Sequence, residues 1–163
     1  MVFTGDAEVA DALDLQEFKA LAVRKKITGL RRILFCFGGQ AADDRGPLEL
    51  TFDWNISVTV DAAPNGQDLA IRRRTWIDPF TPPLSIENEE WVKEHGKWTA
   101  FSIDSRSPLS MCLGSTVRGV WVQSGAAATE TLVIQLDVDE STIELQLISA
   151  GDELVAKLNG KTV

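Results

Sequence analysis

The most constraining feature of this sequence is a stretch in which apolar and polar residues alternate one by one. Residues 48–54, LELTFDW, and residues 56–61, ISVTVD, each place an apolar side chain at every second position. Because successive side chains of a β-strand point to opposite faces, each stretch predicts a strand with one buried face. On this pattern Trp54 shares the buried face of Leu48, and the Asp-Trp-Asn segment between the strands suits a tight hairpin. We therefore expect an antiparallel sheet whose apolar face is covered by a second layer.

A related pattern recurs towards the C-terminus and indicates an internal duplication. Four apolar residues stand 84 positions after those of residues 48–54, namely Leu132, Ile134, Leu136 and Val138. Other matches have similar offsets: Gly29 with Gly119, Gly66–Leu69 with Gly151–Leu154, and Val58 and Val60 with Ile143 and Leu145. Alternation makes any two antiparallel meanders look alike, but the shared Gly-x-Asp/Glu-Leu turn goes beyond alternation. We therefore predict two copies of one β unit.

These patterns predict a mainly β fold in a single domain that spans residues 1–163. Residues 27–76 and 116–159 are expected to form two similar four-stranded antiparallel meanders, joined by residues 77–115. Each meander has one apolar face, so the two faces should bury each other in a sandwich or closed barrel of about eight strands. A chain of 163 residues is long enough to enclose one full core.

The residues before position 48 predict a covering helix and a first strand. A helix from about Asp6 to Leu21 follows from loosely spaced apolar residues, and Thr4 or Asp6 can accept its first free N–H groups. Residues 30–37, LRRILFCF, are too few for a globular helix and are rich in β-forming side chains. We expect the helix to pack on a sheet and residues 30–37 to form a strand.

The connection between the halves has its own local structure. Three prolines fix the backbone of residues 77–84, which should therefore run extended and outside any central strand. Ser85 suits the N-cap of a short helix over Ile86–Glu94, and Gly96 suits its end. Residues 97–103 alternate well enough to form a further strand.

The connection, together with Trp76 directly before it, contains three of the five tryptophans and the only histidine. Trp91 and His95 are four residues apart and share a helix face, so an imidazole could lie in an aromatic pocket beside a carboxylate. The candidate ligand-binding residues are Trp76, Asp78, Glu90, Trp91, Glu94, His95 and Trp98. A structural alternative is that His95 caps the helix while Trp91 and Trp98 cover the open end of the β core.

Motifs of established catalytic chemistry do not occur in the sequence. There is no phosphate-binding P-loop, dinucleotide-binding glycine motif, nucleophile elbow or HExxH zinc motif. Cys36 and Cys112 lie in apolar surroundings without CxxC spacing and are expected to be buried free thiols. We predict no catalytic residue, no metal site and no cofactor, and we favour a protein that is not an enzyme.

The charge of the chain limits its partners. A formal charge of −8 repels nucleic acid and anionic membranes, and no apolar run approaches the roughly 20 residues that span a bilayer. The arginine clusters at residues 31–32 and 72–74 are expected to alternate between strand faces and pair with carboxylates. A cytoplasmic location is the default.

For function we favour a non-enzymatic binding protein of the bacterial cytosol, whose acidic face contacts a basic protein surface. An acidic inhibitor or immunity-like protein for a basic toxin is one concrete form, because opposite charges speed encounter. Two alternatives stay open. One is a small-ligand binder or enzyme that uses the Trp/His pocket, and the other is a structural module that forms a homodimer.

Overall fold

Two antiparallel sheets account for most of the chain in the computed structural model, which describes residues 11–125 and 129–163. The first sheet contains β1 (Ile27–Phe37), β2 (Gln40–Ala41), β3 (Leu48–Phe52), β4 (Ile56–Ala62), β5 (Leu69–Arg72) and β6 (Lys97–Ser102). The second contains β7 (Thr116–Ser124), β8 (Glu130–Val138), β9 (Ser141–Ala150), β10 (Glu153–Leu158) and β11 (Lys161–Thr162). The helices of the described part are α1 (Leu15–Ala22) and α2 (Ile86–His95), with 3-10 turns at Asp53–Asn55 and Pro108–Cys112. Neither α-helix is long and apolar enough to cross a lipid bilayer.

Both sheets are open. In the first sheet β1 pairs with β2, β3 and β6, and the order continues through β4 to β5, whereas the second sheet runs β7-β8-β9-β10-β11. The predicted antiparallel, mainly β architecture is confirmed, and its open sheets fit the sandwich rather than the closed barrel. The described residues form more strands than the eight or so predicted for the two meanders. The short strands β2 and β11 follow tight turns, and β6 is the further strand predicted over residues 97–103, which pairs with β1.

The core lies between the apolar faces of the two sheets. Leu50 and Val58 of the first sheet and Leu132 and Leu145 of the second belong to one buried cluster. Helix α1 adds Phe18, whose ring centroid lies 6.2 Å from that of Phe52. Full burial of one such side chain contributes about 1.5–3 kcal/mol, so the alternating apolar residues are the main source of stability.

Helix α1 begins later than the sequence pattern predicts. Asp14 and Glu17 form a capping box in which each backbone N–H donates to the other side chain, at 2.9 and 2.7 Å. Ala12 instead forms a β-bridge to β5, so the predicted helix is wrong over residues 11–14. Sheet pairing there replaces the helical hydrogen bonds. The predicted caps Thr4 and Asp6 lie outside the described residues.

The prediction that Trp54 faces the core is wrong. Strand β3 ends at Phe52, which pairs directly with Ile56, so a turn of three residues must reverse the chain. Trp54 takes a left-handed φ of 69° in this turn, and its side chain is 84% exposed. Turn geometry therefore overrides the alternation, although the hairpin itself is confirmed.

The two meanders share their strand order and an irregularity in register. Gly29 pairs with Thr51 after a shift in β1, and Gly119 pairs with Gln135 after a shift in β7. These pairs follow the offsets of 90 and 84 positions expected from the sequence. The proposed duplication itself stays a prediction.

The predicted alignment of β9 with β4 is displaced by two residues. Leu50 pairs with Val58, and its counterpart Ile134 pairs with Leu145. Leu145 therefore occupies the position of Val58 rather than that of Val60. Alternation has a period of two, so it cannot distinguish these two alignments.

Candidate functional site

Residues 73–84, here called the crossing segment, are fastened to the outer face of the first sheet. This face has a row of four directly paired residues, one from each of four strands: Arg31, Glu49, Thr59 and Arg72. Along the strands, these residues alternate with residues of the core. Arg31 donates to Trp76 O at 2.8 Å, and the Trp76 N–H donates to Glu49 at 2.7 Å. Thr59 donates to Arg74 O at 3.1 Å. The crossing segment thereby covers Glu49, which is only 3% exposed.

A groove of about 980 Å³ lies between the crossing segment, α2 and the strands of this sheet. Its aromatic lining residues are Phe35, Trp76, Phe80, Trp91 and Trp98. Its charged lining residues are Asp61, Arg72, Arg74 and Lys97. A smaller hollow of about 210 Å³ adjoins it, shares Asp61, Trp76 and Trp98, and extends to Asp152 and Glu153. The two spaces form one concave surface with an aromatic middle.

Ring contacts hold the aromatic walls. Trp91 stacks on Phe80 with centroids 5.2 Å apart and on His95 with centroids 4.7 Å apart. Trp98 meets Phe35 edge to face at 5.7 Å. Such pairs contribute about 0.5–1.5 kcal/mol each beyond their buried area, so they fix the walls of the groove.

His95 lies outside the groove lining. It is exposed in the last turn of α2, and its Nδ1 is 2.9 Å from Trp91 O. Gly96 ends the helix with a φ of 75°. The imidazole is thus placed where it caps the helix and stacks on Trp91.

The predicted carboxylates are dispersed. Asp78 accepts a hydrogen bond from Lys97 Nζ at 2.6 Å and one from the Phe80 N–H at 2.8 Å, which ties the crossing segment to β6. Glu90 and Glu94 are exposed on α2. The structure therefore brings together the three predicted tryptophans but not His95 or these two glutamates.

Asp61, Arg72 and Arg74 line the groove but were not among the residues predicted from the sequence. Burial raises the pKa of Asp61, and the Ala62 N–H and the two arginines partly oppose this shift. Arg72 is the last residue of β5, and Arg74 follows it in the crossing segment, where the Arg74 N–H donates to Arg72 O at 3.0 Å. The run of three arginines at residues 72–74, directly after the strand expected to pair with β4, was the available signal.

Other reactive groups are poorly placed for chemistry. Cys36 and Cys112 are free and buried, as predicted, and burial raises the pKa of Cys112 to about 12. This thiol therefore stays protonated at neutral pH and is a weak nucleophile. Within residues 11–125 and 129–163, no group of three or more His, Cys, Asp or Glu side chains is arranged to hold a metal ion.

Comparison with known proteins adds no relative. No protein-family model matches the chain, and neither the curated proteins nor the solved structures contain a significant match. The function has to be inferred from the groove itself.

Proposed function

We propose that this chain is a non-enzymatic binding protein that takes a small organic ligand in the groove beneath the crossing segment. The observation that carries the proposal is the convergence of Trp76, Trp91 and Trp98 on one concave surface. Its volume of about 980 Å³ is at the upper end of the usual range for small-molecule sites. Trp91 and Trp98 are 47% and 44% exposed, and large exposed apolar side chains are typical of binding surfaces.

The close packing of the groove supports a site that exists before the ligand binds. A Cβ atom added at Gly46 would lie 2.0 Å from Ile33 O and 3.2 Å from the Trp98 ring. One added at Gly96 would lie 2.8 Å from the Phe35 ring. These glycines let backbone and rings approach closely, and a preformed site avoids an ordering cost on binding.

The lining chemistry favours binding over catalysis. Asp61 is the one carboxylate among the described residues that line the larger cavity, and His95 is not among them. General acid–base or nucleophilic catalysis needs a second group within hydrogen-bond reach of the first. Aromatic walls with a few polar groups are instead typical of ligand recognition.

Thermal-shift screening of the whole chain tests this proposal. Aromatic acids, nucleosides and pyranosides are screened for compounds that raise the melting temperature, and their affinities are then measured by calorimetry. Trp98→Ala should weaken a hit by about tenfold or more, which corresponds to about 1.4 kcal/mol. Trp54→Ala is the matched control, because Trp54 is exposed in the turn between β3 and β4 and does not line the groove. Compounds whose affinity is unchanged by Trp98→Ala would contradict the proposal.

A second candidate function rests on the surface of α2. Glu87, Glu90 and Glu94 are exposed there, and Ile86 beside them is 75% exposed. Acidic groups around an exposed apolar side chain suit a basic protein partner, such as a toxin that this chain would inhibit. The wild type should then capture a partner that Glu87→Lys and Glu90→Lys no longer bind but that Trp98→Ala still binds. That result would favour this function over the first.

A further inference from the structure

Strand β6 forms one edge of the first sheet. It pairs with β1 and with no other strand among residues 11–125 and 129–163. The opposite edge strand, β5, is instead paired with residues 11–13, since the Leu13 N–H donates to Ile71 O and the Arg73 N–H to Asp11 O, both at 2.8 Å. An uncovered edge presents backbone N–H and C=O groups that can pair with a strand of another chain. The outer side of β6 is therefore a candidate interaction surface.

The hydrogen bonds to β1 show which backbone groups of β6 point outward. The Ile103 N–H donates to Leu30 O at 3.0 Å, so the backbone of residue 103 faces β1. Hydrogen-bonded and non-hydrogen-bonded pairs alternate along an antiparallel ladder, so every second residue back from Ile103 faces β1 as well. The residues whose N–H and C=O groups point outward are Trp98, Ala100 and Ser102.

This edge lacks the features that usually keep the strands of different molecules apart. Soluble proteins protect exposed edges with prolines, bulges or several charges. Residues 97–102 contain no proline and a single charge, on Lys97, and they pair with β1 without a bulge. Trp98 and Phe101 are 44% and 42% exposed. A formal charge of −8 makes copies of the chain repel each other, but β6 itself has no carboxylate to oppose their approach.

The sequence of β6 is complementary to itself in the antiparallel direction. When two copies pair about an axis at Ala100, Trp98 of each copy lies opposite Ser102 of the other. Thr99 lies opposite Phe101 in the same way. Each large side chain thus meets a smaller one, and only two methyl groups meet at the axis.

The charges at the ends of the strand fit this direction. Lys97 precedes the outward-facing residues and Asp104 follows them, so antiparallel pairing brings each Lys97 near the partner's Asp104. Both also have a partner in their own chain, Lys97 in Asp78 and Asp104 in Arg106.

We propose that the chain forms a homodimer in which the two β6 strands pair antiparallel about Ala100. The first sheet then continues from one copy into the other. Trp98 lies at this interface and also lines the groove, so the second copy borders the groove. The dimer does not depend on the proposed ligand-binding function.

Sedimentation velocity of the full chain at about 10–500 µM tests the dimer. We expect a reversible change from monomer to dimer in this range, because a single strand pair is a small interface. Ala100→Pro should raise the dissociation constant about tenfold or more, since it removes an outward N–H donor from both copies. The bonds to β1 do not use this N–H, so the monomer should keep its fold. Trp54→Ala, which removes an exposed tryptophan between β3 and β4, should dimerise like the wild type.

A cysteine cross-link tests the register. Residues that exchange both hydrogen bonds lie about 5.5 Å apart between Cα atoms, which a disulfide can span. Ala100→Cys should therefore give a covalent dimer under mild oxidation. Thr99→Cys is the matched control, because the two copies of residue 99 are diagonal neighbours about 7–8 Å apart and should not cross-link. Cys36 and Cys112 are buried and should stay free.

The outcomes separate self-pairing from its alternatives. A monomer at every concentration would overturn the proposal and leave the edge to an extended segment of another protein. A dimer that persists in Ala100→Pro, or that cross-links equally at residues 99 and 100, would also overturn it, because the interface would lie elsewhere. Should Ala100→Pro fail to fold by circular dichroism, Ala100→Lys decides. It sets like charges against each other across the axis and should weaken the dimer about tenfold.

Discussion

Arg31 and Glu49 form a two-point ion pair across β1 and β3, with N–O distances of 2.8 and 2.7 Å. The hydrogen bond to Glu49 raises the pKa of Arg31. The same carboxylate accepts the Trp76 N–H, and the same guanidinium donates to Trp76 O. One pair of charges thus fixes both the sheet and the crossing segment, so the shape of the groove depends on it.

Glu49→Gln should therefore destabilise the protein and loosen Trp76. The variant leaves the Arg31 guanidinium without its charged partner beneath the crossing segment, and hydrogen bonds to charged groups contribute about 1.5–3 kcal/mol. We expect a loss of about 2 kcal/mol in urea unfolding, with increased acrylamide quenching of tryptophan fluorescence. Asp137→Asn is the control. Its partner Arg118 lies 3.7 Å away and both are well exposed, so the change should stay within about 0.5 kcal/mol. Equal losses in both variants would contradict the role of Glu49.

Ser149→Ala should stabilise the protein. Ser149 is 0% exposed, and its hydroxyl finds no hydrogen-bond partner among the residues that the structure describes. An unsatisfied buried hydroxyl costs about 1–3 kcal/mol, so its removal should raise the free energy of unfolding by about 1 kcal/mol. Ser115→Ala is the matched control, because that buried hydroxyl donates to Cys112 O at 2.5 Å. The control should lose stability in the same urea titration. If Ser149→Ala is also destabilising, an unseen partner satisfies the hydroxyl.

Local patterns predicted much of this fold, and they failed where distant residues decide. Ser85 accepts the Asn88 N–H as expected of an N-cap, because capping depends on residues three apart. The burial of Glu49 could not be predicted, since alternation gives the face of a strand but not what covers it. Asp61 was missed as a site residue for the same reason. Whether Asp61 lies close to Arg72 depends on the register in which β4 and β5 pair.

Gly96→Ala should destabilise the protein and disturb the groove. Gly96 has a φ of +75°, and an added Cβ would lie 2.5 Å from Cys36 O. Backbone strain alone costs about 1–2 kcal/mol, and displacement of the neighbouring Phe35 ring adds to it. Gly39→Ala isolates the strain, because Gly39 has a φ of +79° and open space around its Cβ position. Thermal unfolding should show the larger loss for Gly96→Ala. Equal losses would mean that the Phe35 ring and the Cys36 carbonyl both give way at little cost.

Asp61→Asn should stabilise the protein at neutral pH, and the gain should disappear in acid. Burial raises the pKa of Asp61 above its value in the unfolded chain, and the Ala62 N–H, Arg72 and Arg74 oppose this only in part. The protonated carboxyl is therefore preferred in the folded state. This preference for the protonated carboxyl stabilises the protein fully below the unfolded pKa of about 3.9. The stabilisation is lost as pH rises through the folded pKa.

Urea unfolding of wild type and Asp61→Asn at several pH values measures this linkage. The difference between the two should be largest at pH 7 and should shrink as the pH falls towards about 4. Asp68→Asn is the control, because Asp68 is exposed in a turn and accepts its hydrogen bond from Asn65 at 2.6 Å. A difference for Asp61→Asn that does not vary with pH would show that the cost of burial is balanced by the two arginines.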